Sequence, residues 1–186
     1  MTASATTAPA GIAVRLLAAA YEAVLVGALM MALGFLLLPW VTGHSNPAPG
    51  SGIALPGSAG RALSFACLLL GFGAYFTWLW SDGRQTLAMR TWRLQLATSA
   101  GTAVNARRAA LRYAAWWIGP LFALGASVAL RTAGQARWAI ALLGLNYAWA
   151  LIDRNRQFLH DCIAGTLLLR SAARQRSQVQ ARRQDI

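Results

Sequence analysis

The chain contains no lysine; all 17 of its basic residues are arginine. Acidic residues are scarce: Glu22, Asp82, Asp153, Asp161 and Asp185 are the full set. Charged residues make up 12% of the chain, where a soluble domain carries roughly 25%. A water-soluble globule is therefore not the expected class. Cysteine is limited to Cys67 and Cys162, which lie in separate apolar stretches. That excludes a disulfide framework, and both read as small apolar side chains. No CxxC, HExxH, GxSxG, Walker or GxGxxG pattern occurs, and the serines and threonines have no base partner in view. No enzyme, cofactor or metal site is expected. No basic residue precedes the first apolar run, so the positive n-region of a cleaved signal peptide is missing.

What the chain does have is hydrophobic length. It is 57% hydrophobic, with a mean hydropathy of +0.45. The first apolar run extends from Ile12 to Trp40, enough to span about 30 Å of hydrocarbon. Pro39 is expected to end it, with Trp40 at the interface. An uncharged loop rich in Gly, Pro and Ser follows from Gly43 to Gly60. The second helix is expected from Ala62 to Trp80, with Gly71 and Gly73 allowing close approach. Thr86 to Leu96 alternates in part, which fits an amphipathic interfacial helix or a short hairpin. A third helix is expected from Tyr113 to Leu130, kinked or broken at Pro120. A fourth, short one is expected from Trp138 to Ile152. Cys162 to Leu169 is too short to span and reads as a final short helix or a re-entrant piece.

The expected fold is thus all-α: a polytopic membrane bundle of four transmembrane helices plus short interfacial helices. Residues 1–11 form a disordered leader, 12–170 the membrane domain, and 171–186 a basic cytoplasmic tail. Fourteen arginines fall on one side of this arrangement and three on the other. The positive-inside rule then places both termini in the cytoplasm of a bacterial inner membrane. A net charge of +12 can signal nucleic acid. Most arginines flank apolar segments, however, so anionic membrane lipid is the expected partner and nucleic acid is not.

Five ionisable residues form the candidate charge network: Arg15, Glu22, Asp153, His160 and Asp161. Arg15 and Glu22 stand seven residues apart, which puts them on roughly one helix face about two turns apart. A carboxylate at the lipid boundary should face the bundle or an arginine. Glu22 reads either as an ion-coupling or ligand-gating carboxylate, as half of a structural ion pair, or as an interfacial group with water access. His160 and Asp161 are adjacent, so a helix splays them roughly 100° apart, and they make no obvious catalytic dyad. Asp161 has Arg15, Arg84 and Arg112 as candidate partners. Gly83 and Thr86 read as a helix C-cap and a following N-cap. Gly165 and Thr166 permit a turn and tight packing of the last segment.

Three stretches resemble the RDD family of small membrane proteins. Arg15 to Val26, RLLAAAYEAVLV, resembles its opening Arg–Asp element, with Glu22 where the family has Asp. Trp80 to Leu96, WSDGRQTLAMRTWRLQL, resembles its Gly-x-Thr stretch, with Ala88-Met89-Arg90 in place of Gly-Lys-Arg. Arg156 to Leu169, RQFLHDCIAGTLLL, resembles its closing His-Asp…Ala-Gly-Thr element and is the most specific of the three. The resemblance covers nearly the whole chain. It implies a membrane protein for which transport is suspected, with sodium–proton exchange suggested for some members. The expected role is a small transporter or transport accessory for an ion or small solute, with a homodimer as its assembly. The alternative is a non-catalytic assembly or scaffold module of a membrane complex.

Overall fold

Long apolar segments can satisfy their own backbone in lipid only as helices, and the two longest runs of this chain are helical throughout. The computed structural model describes residues 10–42 and 57–170. The leader up to residue 9, the insert at 43–56 and the tail from 171 lie outside the described residues. Helix α1 (Ile12–Thr42) and helix α2 (Ser58–Trp80) are both long and apolar enough to cross a membrane. Their most apolar windows are not buried within the chain, so those faces are free for lipid. Pro39 does not end α1 as expected; the helix runs on to Thr42. A proline this close to the end removes only one bond of the last turns, which is why the helix survives it.

The third and fourth predicted spans are helical but interrupted. Helix α4 (Ala106–Trp116) stops at Trp117, and α5 (Ile118–Ala129) starts directly after it. Pro120 lies in the first turn of α5 and has no N–H for the carbonyl of Trp116, so the break falls where the ladder loses a rung. The next stretch is a 3-10 segment, Ala136–Gly144, then the single turn α6 (Leu145–Ala148), then another 3-10 turn, Trp149–Leu151. The 3-10 segment packs extensively on α5. At the contact a Cβ on Gly119 would lie 3.1 Å from the carbonyl oxygens of both Leu142 and Leu143. Only glycine allows that approach.

The chain departs from an all-α bundle in one respect. Strand β1 (Leu94–Thr98) pairs antiparallel with β2 (Thr166–Arg170), Leu94 opposite Arg170 and Thr98 opposite Thr166. The alternating stretch before Leu96 thus divides into the short helix α3 (Leu87–Thr91) and a strand. The stretch after Cys162 divides likewise into the end of α7 (Leu159–Ala164) and a strand. The alternation was visible locally, but the strand's partner lies some seventy residues away and no local pattern announces it. Ala10 adds its N–H to the Leu168 carbonyl at 2.9 Å, tying the start of α1 to the same sheet.

The buried core sits at this sheet-bearing end. Leu94, Leu96 and Leu168 of the sheet pack with Met89 of α3, Ala18 of α1, Trp80 of α2, Val104 and Ala109. The molecule is therefore a mostly helical bundle with a compact apolar cap at one end and two long helices projecting from it.

Candidate functional site

A cavity of about 360 Å³ opens between α1, α2 and α4, directly above the cap. Its upper walls are apolar, from Val26 and Met30 of α1 to Phe65, Leu68 and Leu69 of α2. Its lower end carries Arg15, Glu22, Arg112 and His160, beside the rings of Trp80 and Phe158. Charge is thus concentrated at one end of an apolar hollow.

Arg112 arrives there because α4 buries one face. Asn105 caps that helix by accepting the Arg108 N–H at 2.9 Å. Ala109, Arg112 and Ala115 then recur at helical spacing on the buried side, whereas Arg107 and Arg108 point outward. The Arg112 guanidinium lies over Trp80, 4.5 Å from the ring centroid. Its Nε sits 2.9 Å from Asp161 Oδ1, with the two side chains 5% and 1% exposed. Of the three candidate partners for Asp161, the structure selects Arg112. The contact is close but poorly angled for a hydrogen bond, since Arg112 Nε and Nη1 both remain without an acceptor.

Short helix α7 delivers His160 and Asp161 together. It ends at Gly165, which adopts the left-handed conformation at φ 62°, and Thr166 Oγ1 donates back to Asp161 Oδ1 at 3.2 Å. Arg112 Nη2 lies 3.4 Å from His160 Nε2, and Asp161 Oδ1 is 3.8 Å from the same nitrogen. Burial pushes the His160 imidazole down to about 4, opposed by the Asp161 charge and helped by that of Arg112. The ring is neutral at physiological pH. Arginine has only donors, so Nε2 must accept and the proton sits on Nδ1, which has no partner.

Arg15 is also buried. It does not pair with Glu22; its Nη2 donates to the carbonyl of Arg156 and its guanidinium lies over Phe158, 5.1 Å from the centroid. Arg156 occupies the left-handed region at φ 53°, inside a turn held by Asp153. Asp153 Oδ2 accepts the N–H groups of Asn155 at 3.0 Å and Gln157 at 2.9 Å. Asp153 is thus a turn former whose charge lies near Arg15 rather than a wall of the cavity.

Glu22 meets the hydroxyl of Thr86 and the field of Arg112. Its Oε1 is buried and has no hydrogen-bond partner. Thr86 is the N-cap of α3, accepting the Met89 N–H at 3.2 Å. Gly83 is not the C-cap of α2. Ser81 ends that helix two residues earlier, its hydroxyl donating to the Trp78 carbonyl at 3.0 Å. Asp82 and Gly83 then form a left-handed turn, and Arg84 Nη1 bonds Asp82 Oδ2 at 3.1 Å.

The structure therefore gathers Arg15, Glu22 and His160 around one cavity, backs them with Asp161, and leaves Asp153 in a turn. Sequence reasoning left Trp80 and Phe158 out of the site and named Arg112 only among the candidate partners of Asp161. Among the described residues, no group of three His, Cys, Asp or Glu side chains is placed to hold a metal ion. The chain matches the RDD family over residues 9–165. No curated protein and no solved structure matches it.

Proposed function

The chain belongs to the RDD family, and on that premise we propose that it is a small membrane transporter or transport accessory whose ion or small solute enters the cavity above the cap. Glu22 carries this reading. A buried carboxylate oxygen with no hydrogen-bond partner, on the wall of a cavity, is placed to bind and release a passing group. Arg112 is the cation whose field reaches Glu22, and the buried Arg112–Asp161–His160 cluster is the rigid base. The break at Trp117, ahead of Pro120, supplies a joint in one wall. Proteins of this family are not known as catalysts, and no reaction is part of the proposal.

In this reading α4–α5 and residues 136–151 complete four crossings. Both termini face the cytoplasm of a bacterial inner membrane, where the arginine-rich side meets anionic lipid. A homodimer would enlarge a bundle that is small for a pathway. The test is flux in proteoliposomes over a panel that varies pH, sodium and small solutes, with Glu22→Gln beside the parent. Flux that vanishes in a monodisperse, folded Glu22→Gln protein is the expected result. Silence from a monodisperse parent removes the transport reading.

A second reading, an assembly module, is favoured by α1. That helix packs chiefly on α3, leaving Val24, Met31, Phe35 and Leu36 exposed along its length. Such a face fits another membrane helix as well as it fits lipid. Truncation after Arg170 tests the basic tail in that role: loss of association with a retained bundle supports it, and unchanged association rejects it.

A further inference from the structure

Seven polar atoms on residues lining the cavity are buried without any hydrogen-bond partner: Arg15 Nε, Arg112 Nη1, Trp80 Nε1, His160 Nδ1 and Glu22 Oε1, with Arg112 Nε, which faces Asp161, and Trp117 Nε1 besides. Folded proteins leave few such atoms, and several on one cavity point to a bound group. Arg15 and Arg112 are each only 4% exposed, so these are not surface side chains awaiting water. The first four atoms are donors, given the proton on His160 Nδ1, and two belong to full cations. The fifth is the oxygen of a carboxylate.

Donors alone would suit an anion, and a carboxylate alone would suit a cation. A bare cation at Glu22 would also meet the field of Arg112, and a bare anion would meet Glu22. A molecule carrying both charges satisfies both sets at once. The rest of the cavity is greasy. Helix α1 packs chiefly on α3 and α2 chiefly on α4, so the two long helices do not zip together. Val26, Met30, Phe65 and Leu68 line the gap they leave.

We infer that the cavity binds a zwitterionic amphiphile, its phosphate- or carboxylate-type anion against Arg15 and Arg112, its ammonium against Glu22, and its apolar chain between α1 and α2. This rests on the cavity being the substrate site and names the class of that substrate. The same headgroup chemistry belongs to a membrane lipid and to a soluble zwitterion, and the gap between the helices favours the lipid.

The test is equilibrium binding to the full chain in a non-ionic detergent, read by native mass spectrometry. Four probes are used: a dodecyl-chain lysophosphatidylethanolamine, monododecyl phosphate, dodecylamine and tail-free phosphoethanolamine. The lysolipid is expected to bind one to one, at least tenfold tighter than the alkyl phosphate and the alkylamine. Glu22→Gln should weaken the lysolipid about tenfold and leave the alkyl phosphate within twofold. If Glu22→Gln fails to fold, the probe series on the parent decides alone. Phosphoethanolamine binding as tightly as the lysolipid supports the headgroup assignment and makes the source soluble. An alkyl phosphate or an alkylamine that matches the lysolipid overturns the inference, as does the absence of binding by all four. Flux of an ion in proteoliposomes without lysolipid binding overturns this inference and leaves transport standing; lysolipid binding without flux does the reverse.

Discussion

Asn146 donates through Nδ2 to the backbone carbonyl of Trp116 at 2.7 Å, the carbonyl that Pro120 leaves without a helical N–H. The side chain of one broken segment thus repairs the ladder of the other. Asn146 is 1% exposed, so its side chain is held at that carbonyl by the packing around it. Asn146→Leu keeps most of the volume and strands the carbonyl, which costs about 1–3 kcal/mol. Its thermal midpoint in detergent should fall below that of the parent. The same substitution made on a Pro120→Ala background should cost less, because residue 120 then supplies an N–H of its own. Equal losses in both backgrounds would mean that the Asn146 bond has nothing to do with the proline.

The Arg112–Asp161 pair makes a sharper demand on stability. Both side chains are out of water, so removing one charge leaves the other buried and unpaired. Asp161→Asn is expected to cost about 3–5 kcal/mol. The double variant Arg112→Met with Asp161→Leu removes both charges and keeps an apolar fill, and it should recover most of that loss. Chemical denaturation in mixed micelles compares the three. A double variant no more stable than Asp161→Asn would show that the pair's worth lies in its contacts to Trp80 and Thr166 rather than in its charges.

Part of this architecture could be read from the residues. Long apolar runs without breakers have one outcome in lipid, so α1 and α2 were evident. Pro120 announced a broken third helix. Glu22 and Asp161 stood out because carboxylates are rare in such a chain and costly near lipid. What escaped reading depended on contacts between distant segments. β1 and β2 pair across some seventy residues, and each alone is a five-residue apolar stretch. Asp161 had three arginines to choose from, and only the face on which α4 packs selects Arg112. Arg15 takes a backbone carbonyl, a partner that carries no side-chain signature. Asn146 is a single polar residue in an apolar run, and only its contact with the Trp116 carbonyl across the break at Pro120 shows its task.

Two glycines of α5 should behave oppositely. A Cβ at Gly119 meets two backbone carbonyls of the 3-10 segment at 3.1 Å, while at Gly125 it meets nothing within 4 Å. Gly119→Ala must push Ala136–Gly144 away from α5 and is expected to cost about 1–3 kcal/mol. Gly125→Ala has room, and the better helix propensity of alanine should leave it neutral or more stable by up to about 1 kcal/mol. Thermal midpoints of the two single variants decide. A Gly119→Ala protein as stable as the parent would mean that the 3-10 segment is free to slide.

The neutral state of His160 makes stability depend on pH in a stated direction. Burial holds the folded ring at about 4, against 6.5 for the exposed group. An unfolded chain therefore takes up a proton first as pH falls, and the folded form loses ground between 6.5 and about 4. The contribution is fully present above 6.5 and is lost on the way down, by on the order of 3 kcal/mol. The groups facing the ring set that direction. Arg112 disfavours the imidazolium, Asp161 favours it, and Tyr147 and Phe158 pack against it without charge. A series of thermal midpoints from pH 7.5 to pH 4.5 should fall steadily in the parent. His160→Phe, which cannot titrate, should flatten most of that slope between pH 6.5 and 4.5, leaving the shallower trend of the carboxylates. An unchanged slope in that variant would mean that the folded and unfolded rings titrate alike, and would place the acid sensitivity elsewhere.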